Sequence, residues 1–360
     1  MSDSMIERSA ARLFADTADR TVREEVEAGG WPGALWDRVA ESGFPWALAT
    51  EAAGGIGASW PDACAILRGI GHWQVPLPLA ETMIAAHLLS GAGLPPPEGP
   101  ITLLEASGDV ALSGSRASPR LHGRAIRVPW ARHCGWAAAV TPDGDVLLVD
   151  LRQPAHLRIE PLADVAGLPS DTVVLDGAAV LARAPAPPGA LPRPVALLGA
   201  AARAAMMVGA MESVLAQTVQ YANDRVQFGK PIGRYQAIQQ QVALMAGEVA
   251  AARVATLVAM ADLGGAATAG AVGPRRAEFG VAVAKTRAGE AAGRTAAIAH
   301  QVHGAIGFTR EHSLHFATRR LWAWRDEYGT DAQWAAWLGR HAIEGRAAGF
   351  WPALTERCFA

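Results

Sequence analysis

Two proline-rich breakers constrain this chain more than any other feature. Gly93-Leu-Pro-Pro-Pro-Glu-Gly-Pro100 and Ala184-Pro-Ala-Pro-Pro-Gly-Ala-Leu-Pro-Arg-Pro194 concentrate residues that lack an amide donor and that bar the helical conformation to the residue before them. No regular element should run through either stretch, so the chain reads as three regions, 1–97, 98–186 and 187–360. A length of 360 residues allows this, because single hydrophobic cores stop growing beyond about 250–300 residues.

The three regions differ in hydrophobic period. The first is helical: Ile6, Leu13 and Phe14 begin one stripe, Trp36, Val39 and Ala40 a second, and Ala63, Ile66, Leu67 and Ile70 a third, each at the three- and four-residue steps of a helix face. In the second, short β-favouring runs occur at Ile101 to Leu104, Ala125 to Val128, Ala137 to Val140, Val146 to Val149 and Thr172 to Leu175, separated by turn residues. In the third, Leu197, Ala201, Ala204, Val208, Met211, Leu215 and Val219 form a long stripe, and similar stripes cover 238–260, 277–298 and 314–324. The expected fold is a multidomain α+β protein with a helical N-terminal domain, a small antiparallel β middle domain and a C-terminal four-helix bundle. The many Ala and Gly positions in the bundle suit close helix approach and packing between subunits.

Composition excludes several functions. Hydrophobic residues make up 51% and charged residues 18% of the chain, which is far from the signature of disorder. With 32 Lys+Arg against 34 Asp+Glu and no basic run, the chain lacks the electrostatic footprint for nucleic acid or an anionic membrane. Cys64, Cys134 and Cys358 form no CxxC pair, arguing against a disulfide framework and a zinc site. The first thirty residues contain no uninterrupted apolar segment of the secretory kind. The expectation is a soluble, cytoplasmic protein without a bound metal.

Polar groups crowd the stretch YANDRVQFGKPIGRYQAIQQQ at 221–241, a helix end, a tight reversal and a new helix. Arg225, Gln227, Gln236 and Gln239 could converge on one anionic ligand while Phe228 offers a ring for stacking, or they could form a solvated loop. A second stretch, Ala299-His-Gln-Val-His-Gly-Ala-Ile-Gly-Phe-Thr309, contains Gly304 and Gly307, which permit backbone approach to a phosphate or a ring.

Together, R-x-Q-F-G-K-P-I and, about seventy-five residues later, Q-x-H-G-A-I-G-F-T-x-E closely resemble the acyl-CoA dehydrogenase family. The resemblance extends to Glu51-Ala-Ala-Gly-Gly-Ile-Gly57 and to 121–131, and it covers nearly the whole chain. It implies the three-domain fold above and FAD as cofactor, with the flavin ring between the β domain and the bundle and its pyrophosphate and adenosine reaching a neighbouring subunit. Arg225, Gln227, Phe228 and Gln236 match dinucleotide-contacting positions. Gln301, Gly304 and Ala305 match the loop on the adenosine side, where Ala305 replaces a commoner glycine. The implied reaction is α,β-dehydrogenation of an acyl-CoA thioester in a dimer of dimers, with electron-transfer flavoprotein as acceptor.

Two departures stand out. The family's catalytic loop has a glutamate immediately before Gly-Thr, whereas this chain reads Trp324-Arg-Asp-Glu-Tyr-Gly-Thr330, which puts Tyr328 there and Glu327 one residue early. The alternative family position corresponds to Gly199. Glu327 is therefore the candidate base, with surface pairing to Arg325 or Arg320, or a subunit lacking a base, as the other readings. Asp326 is a poorer candidate. In the middle domain, 101–115 lacks the motifs with which many members hold flavin and CoA. Both departures suit one half of a heteromeric dehydrogenase whose sister subunit completes the site, as in some relatives acting on bulky acyl-CoA side chains. The rival readings are a catalytically silent subunit and a flavin oxidase or monooxygenase on the same fold. His300 and His303 read as loop packing, Trp322, Trp324, Trp334 and Trp337 as core or interface, and Glu212, Glu248, Arg275-Arg276 and Arg319-Arg320 as solvated positions.

Overall fold

A computed structural model describes residues 5–344, apart from 107, 117 and 268–272; Cys358 lies outside the described residues. Five helices come first, α1 (Met5–Thr17), α2 (Arg20–Glu27), α3 (Gly33–Glu41), α4 (Trp60–His72) and α5 (Leu79–Gly91). The strands β1 (Ile101–Glu105), β2 (Val110–Ser115), β3 (Ser118–Pro129), β4 (Trp136–Val140), β5 (Asp145–Asp150), β6 (Leu157–Glu160) and β7 (Ser170–Pro185) follow. The last region holds α6 (Pro194–Asp224), the short hairpin β8 (Val226–Gln227) and β9 (Lys230–Pro231), then α7 (Gln236–Ala267), α8 (Pro274–His303), α9 (Leu314–Asp326) and α10 (Asp331–Glu344). The first proline run separates α5 from β1, and the second spans the end of β7 and the start of α6.

The chain forms two compact units, one of residues 1–20, 64–75 and 200–360, the other of 21–63 and 76–199. In the second, the sheet order is β1-β4-β5-β7-β3-β2 with β6 also on β7. The expected antiparallel sheet is mixed: β1 pairs with β4 in parallel, because β2 and β3 form the long crossover that parallel neighbours require. Two devices fix the sheet. Thr82 Oγ1 on α5 donates to Pro78 O at 2.8 Å and accepts from Ile101 N at 3.0 Å, tying a helix to β1. Asp171, fully buried, accepts from the backbone amides of Arg132 and Leu162 and from the Arg132 guanidinium. Such a set satisfies a buried carboxylate.

In the first unit, α4 and α6 touch through glycine. A Cβ at Gly71 would lie 1.8 Å from Met206 O, and one at Gly209 would lie 1.9 Å from Arg68 O, so neither position has room for a side chain. The surrounding charges are not the solvated groups expected from sequence. Glu212 accepts from Arg68 at 2.9 Å, Glu248 from Arg294 at 2.5 Å, and Arg276 meets buried Asp262 at 3.2 Å. Arg320 is fully buried and donates to Phe316 O. Periodicity in an Ala-rich helix has low contrast, and it could not reveal these partners. Both α6 and α7 are long and apolar enough to cross a membrane by length and composition; the apolar window is 89% buried in α6 and 28% buried in α7.

Candidate functional site

The first turn singled out by sequence is a tight hairpin at the end of α6. Phe228 and Gly229 both have left-handed backbones, φ 50° and 80°, and Phe228 is 93% exposed. The ring is thus almost wholly in solvent, on a residue in a backbone region that non-glycine side chains seldom adopt. The hairpin is fixed from below: Ile232 N donates to Arg225 O at 2.8 Å, Tyr235 Oη donates to Gln227 O at 3.1 Å, and the Lys230 ammonium lies 4.3 Å from the Tyr235 ring centre. Arg225, Gln227 and Gln236 are exposed, and Gln236 opens the 32-residue α7, whose N-terminal amides favour an anion.

The second turn ends α8. Gly304 has φ 63° and ψ −143°, a conformation for which glycine is suited, and nothing lies within 4 Å of where its Cβ would be. Gln301, Gly304 and Ala305 are exposed. The two turns lie at one end of the bundle, because Tyr221, four residues before Arg225, stacks on His303, immediately before Gly304, at 4.5 Å. His303 in turn meets His312 at 4.7 Å, and His300 stacks on Phe308 at 4.5 Å. Burial holds the His300, His303 and His312 imidazoles below their usual range, against the pull of the Ala299 carbonyl on His303. These rings pack against neighbouring rings, and no cluster of three or more metal-ligating side chains occurs among the described residues.

The third element is the turn between α9 and α10. Glu327 is the C-cap of α9, and its Oε2 accepts from Arg203 Nε on α6 at 2.5 Å, the side chains being 15% and 4% exposed. Arg325 is committed to Asp331 at 2.7 Å. The chain then reverses through Tyr328, φ 54°, and Gly329, φ 95°, and Trp334 Nε1 donates to Tyr328 O at 3.0 Å. Gly199 is buried in α6 and offers no side chain. Two residues of this element escaped the sequence reading. They are Arg203 on α6 and Lys285 on α8. Lys285 is fully buried, and burial pushes its ammonium down to about 7 against the pull of Glu327. A charge inside an Ala-rich stripe was the available signal.

The chain is similar to known proteins along most of its length. Residues 197–336 match the acyl-CoA dehydrogenase C-terminal domain. The acyl-CoA dehydrogenase IpdE2 of Mycobacterium tuberculosis is 29% identical over 330 residues, 88% of this chain and 89% of that protein. Among solved structures, the Tcur3481-Tcur3483 steroid ACAD superposes with a TM-score of 0.81 at 25% identity, covering 94% of this chain and 97% of the other. The ChsE4-ChsE5 complex from Mycobacterium tuberculosis gives 0.82 at 22% identity, covering 96% and 99%.

These similarities support the acyl-CoA dehydrogenase family, whose members are oxidoreductases that act on CH–CH bonds with FAD. The residues described fit that cofactor: an exposed guanidinium and a helix N-terminus suit a pyrophosphate, the free face of Phe228 suits a ring, and the open space over Gly304 admits a nucleotide edge.

Proposed function

We propose that this chain is the half of a heteromeric FAD-dependent acyl-CoA dehydrogenase that completes the flavin site, while a sister subunit supplies the base. The observation that carries the reading is the 2.5 Å contact between Glu327 Oε2 and Arg203 Nε. Removing a weakly acidic α-proton needs a carboxylate of raised basicity and a site that stabilises the enolate. A carboxylate bound to a buried guanidinium has lost that basicity to its partner. FAD, when bound, would supply the acceptor for the β-hydrogen, which leaves as hydride. In this reading Arg225, Gln227 and Gln236 hold its phosphates and polar edges, Phe228 packs against it, and Gln301, Gly304 and Ala305 form the adenosine side.

An exposed apolar face supports assembly. Ala243, Leu244, Gly247, Ala251, Val254 and Val258 lie exposed along α7 at three- and four-residue steps, a stripe that another subunit would cover. The substrate class follows from the likeness to the steroid ACAD, whose name pairs two proteins, and to a two-protein complex. It is a bulky, ring-bearing acyl-CoA, and electron-transfer flavoprotein is the acceptor. A second reading keeps Glu327 as base and the chain active alone; its support is that Glu327 retains contact with solvent.

The test is flavin content and anaerobic bleaching, for the chain alone and mixed with candidate sister chains, across straight-chain and steroid acyl-CoA. A colourless chain that gains FAD and bleaches only in the mixture supports the proposal. A yellow chain that bleaches alone refutes it. Oxygen consumption with peroxide release marks an oxidase.

A further inference from the structure

We propose that Lys285 is the positioning residue of the 324–330 turn, its single ammonium fixing the backbone path that delivers Glu327 to Arg203. Lys285 Nζ, on α8, donates to Trp324 O at 3.0 Å, to Arg325 O at 2.8 Å and to Gly329 O at 2.8 Å. The first two acceptors belong to the last turn of α9, where carbonyls have no partner within the helix and the dipole is negative. The third lies beyond the reversal at Tyr328. One atom therefore binds the chain on both sides of a turn containing a non-glycine residue at φ 54°, a conformation that L side chains disfavour.

The residue type follows from this geometry. Only Lys230 and Lys285 among the 32 basic residues are lysine. An ammonium directs three donors from one tetrahedral centre, whereas a guanidinium is a planar fork. Arginine holds the carboxylates of Asp171, Glu212 and Glu327, whereas Lys285 stands where three carbonyls converge on a fully buried point. Arg203 grips the same turn from α6, and Trp334 Nε1 holds Tyr328 O from α10. Glu327, Arg203, Asp331 and Asp326 are the charged groups that face Lys285. Lys285 touches no proposed ligand, so its role is exerted through the turn.

The test uses the full-length chain with Lys285→Met and reads hydrogen exchange. Protection across 324–334 is expected to fall at least about tenfold while the rest of α8 keeps its own. A double-mutant cycle of Arg203→Met and Glu327→Gln is expected to lose most of its coupling in the Lys285→Met background, which loss of packing alone would not produce. In Lys285→Ala, n-propylammonium should restore the protection and n-propanol should not. Unchanged exchange and coupling in Lys285→Met overturns the proposal, as does equal rescue by the alcohol. Failure of both variants to fold, even with the amine present, also overturns it, because Lys285 would then serve the bundle as a whole. The inference rests on the turn and not on the assembly, so exchange decides it even if the flavin experiment fails.

Discussion

Glu327→Ala removes the carboxylate 2.5 Å from a guanidinium that is almost wholly buried. Breaking a buried ion pair from one side costs about 3–5 kcal/mol. Glu327 is 15% exposed and water eases part of the loss, so about 3 kcal/mol is the expected cost. For a cooperative unit of 150–250 residues that corresponds to about 6–12 °C in Tm. Calorimetry together with tryptophan fluorescence should show the loss in the transition of the unit that contains both residues. The Arg203→Met/Glu327→Ala double variant should recover at least about 1 kcal/mol of the summed single losses, because the two groups interact directly. A Glu327→Ala protein within about 0.5 kcal/mol of wild type, the range of ordinary surface changes, would refute the reasoning and return Glu327 to the solvent.

Three other outcomes follow from particular groups. Lys285 sits at about 7 when folded against 10.5 when exposed; the unfolded chain thus binds the extra proton between those values, and the folded state gains stability as pH rises through that window. Wild type should gain about 2 kcal/mol relative to Lys285→Met between pH 7 and 9, measured by denaturant unfolding, and a flat difference contradicts the burial of a titrating amine. Phe228→Ala, at a 93% exposed side chain, should leave unfolding of the flavin-free chain within about 0.5 kcal/mol of wild type while weakening FAD binding in the assembly at least about tenfold by titration; unchanged affinity removes Phe228 from the site. Burial pushes the Cys64 thiol up to about 12 and the Cys134 thiol well above its ordinary range, so iodoacetamide at pH 8 should leave both unmodified in native protein by peptide mass mapping and modify both in denaturant.

Much of the fold could be read from residue pattern because helices and strands differ in period and the proline runs punctuate them. Five strands registered through their β-branched and apolar runs. β2, with the sequence Val-Ala-Leu-Ser-Gly-Ser, and β6, Leu-Arg-Ile-Glu, did not, since half of each is polar and pairing rather than hydrophobic pattern makes them strands. The parallel β1–β4 pair was equally hidden, being a property of topology. At the site, the turns at Phe228 and Gly304 were visible through glycine, aromatic and arginine spacing, and the Tyr221–His303 stack that puts them at one end of the bundle was not. The partner of Glu327 was illegible because Arg203 lies 124 residues away in sequence, on a helix whose pattern announces only burial.

Anaerobic stopped-flow reduction of flavin by acyl-CoA, in the FAD-loaded assembly carrying Glu327→Gln, tests the central claim most directly. With the base on the sister subunit, the rate should stay within about tenfold of wild type, since the substitution touches a structural pair. A loss of about 10²–10⁴-fold, the usual contribution of a general base, would make Glu327 the base and contradict the account.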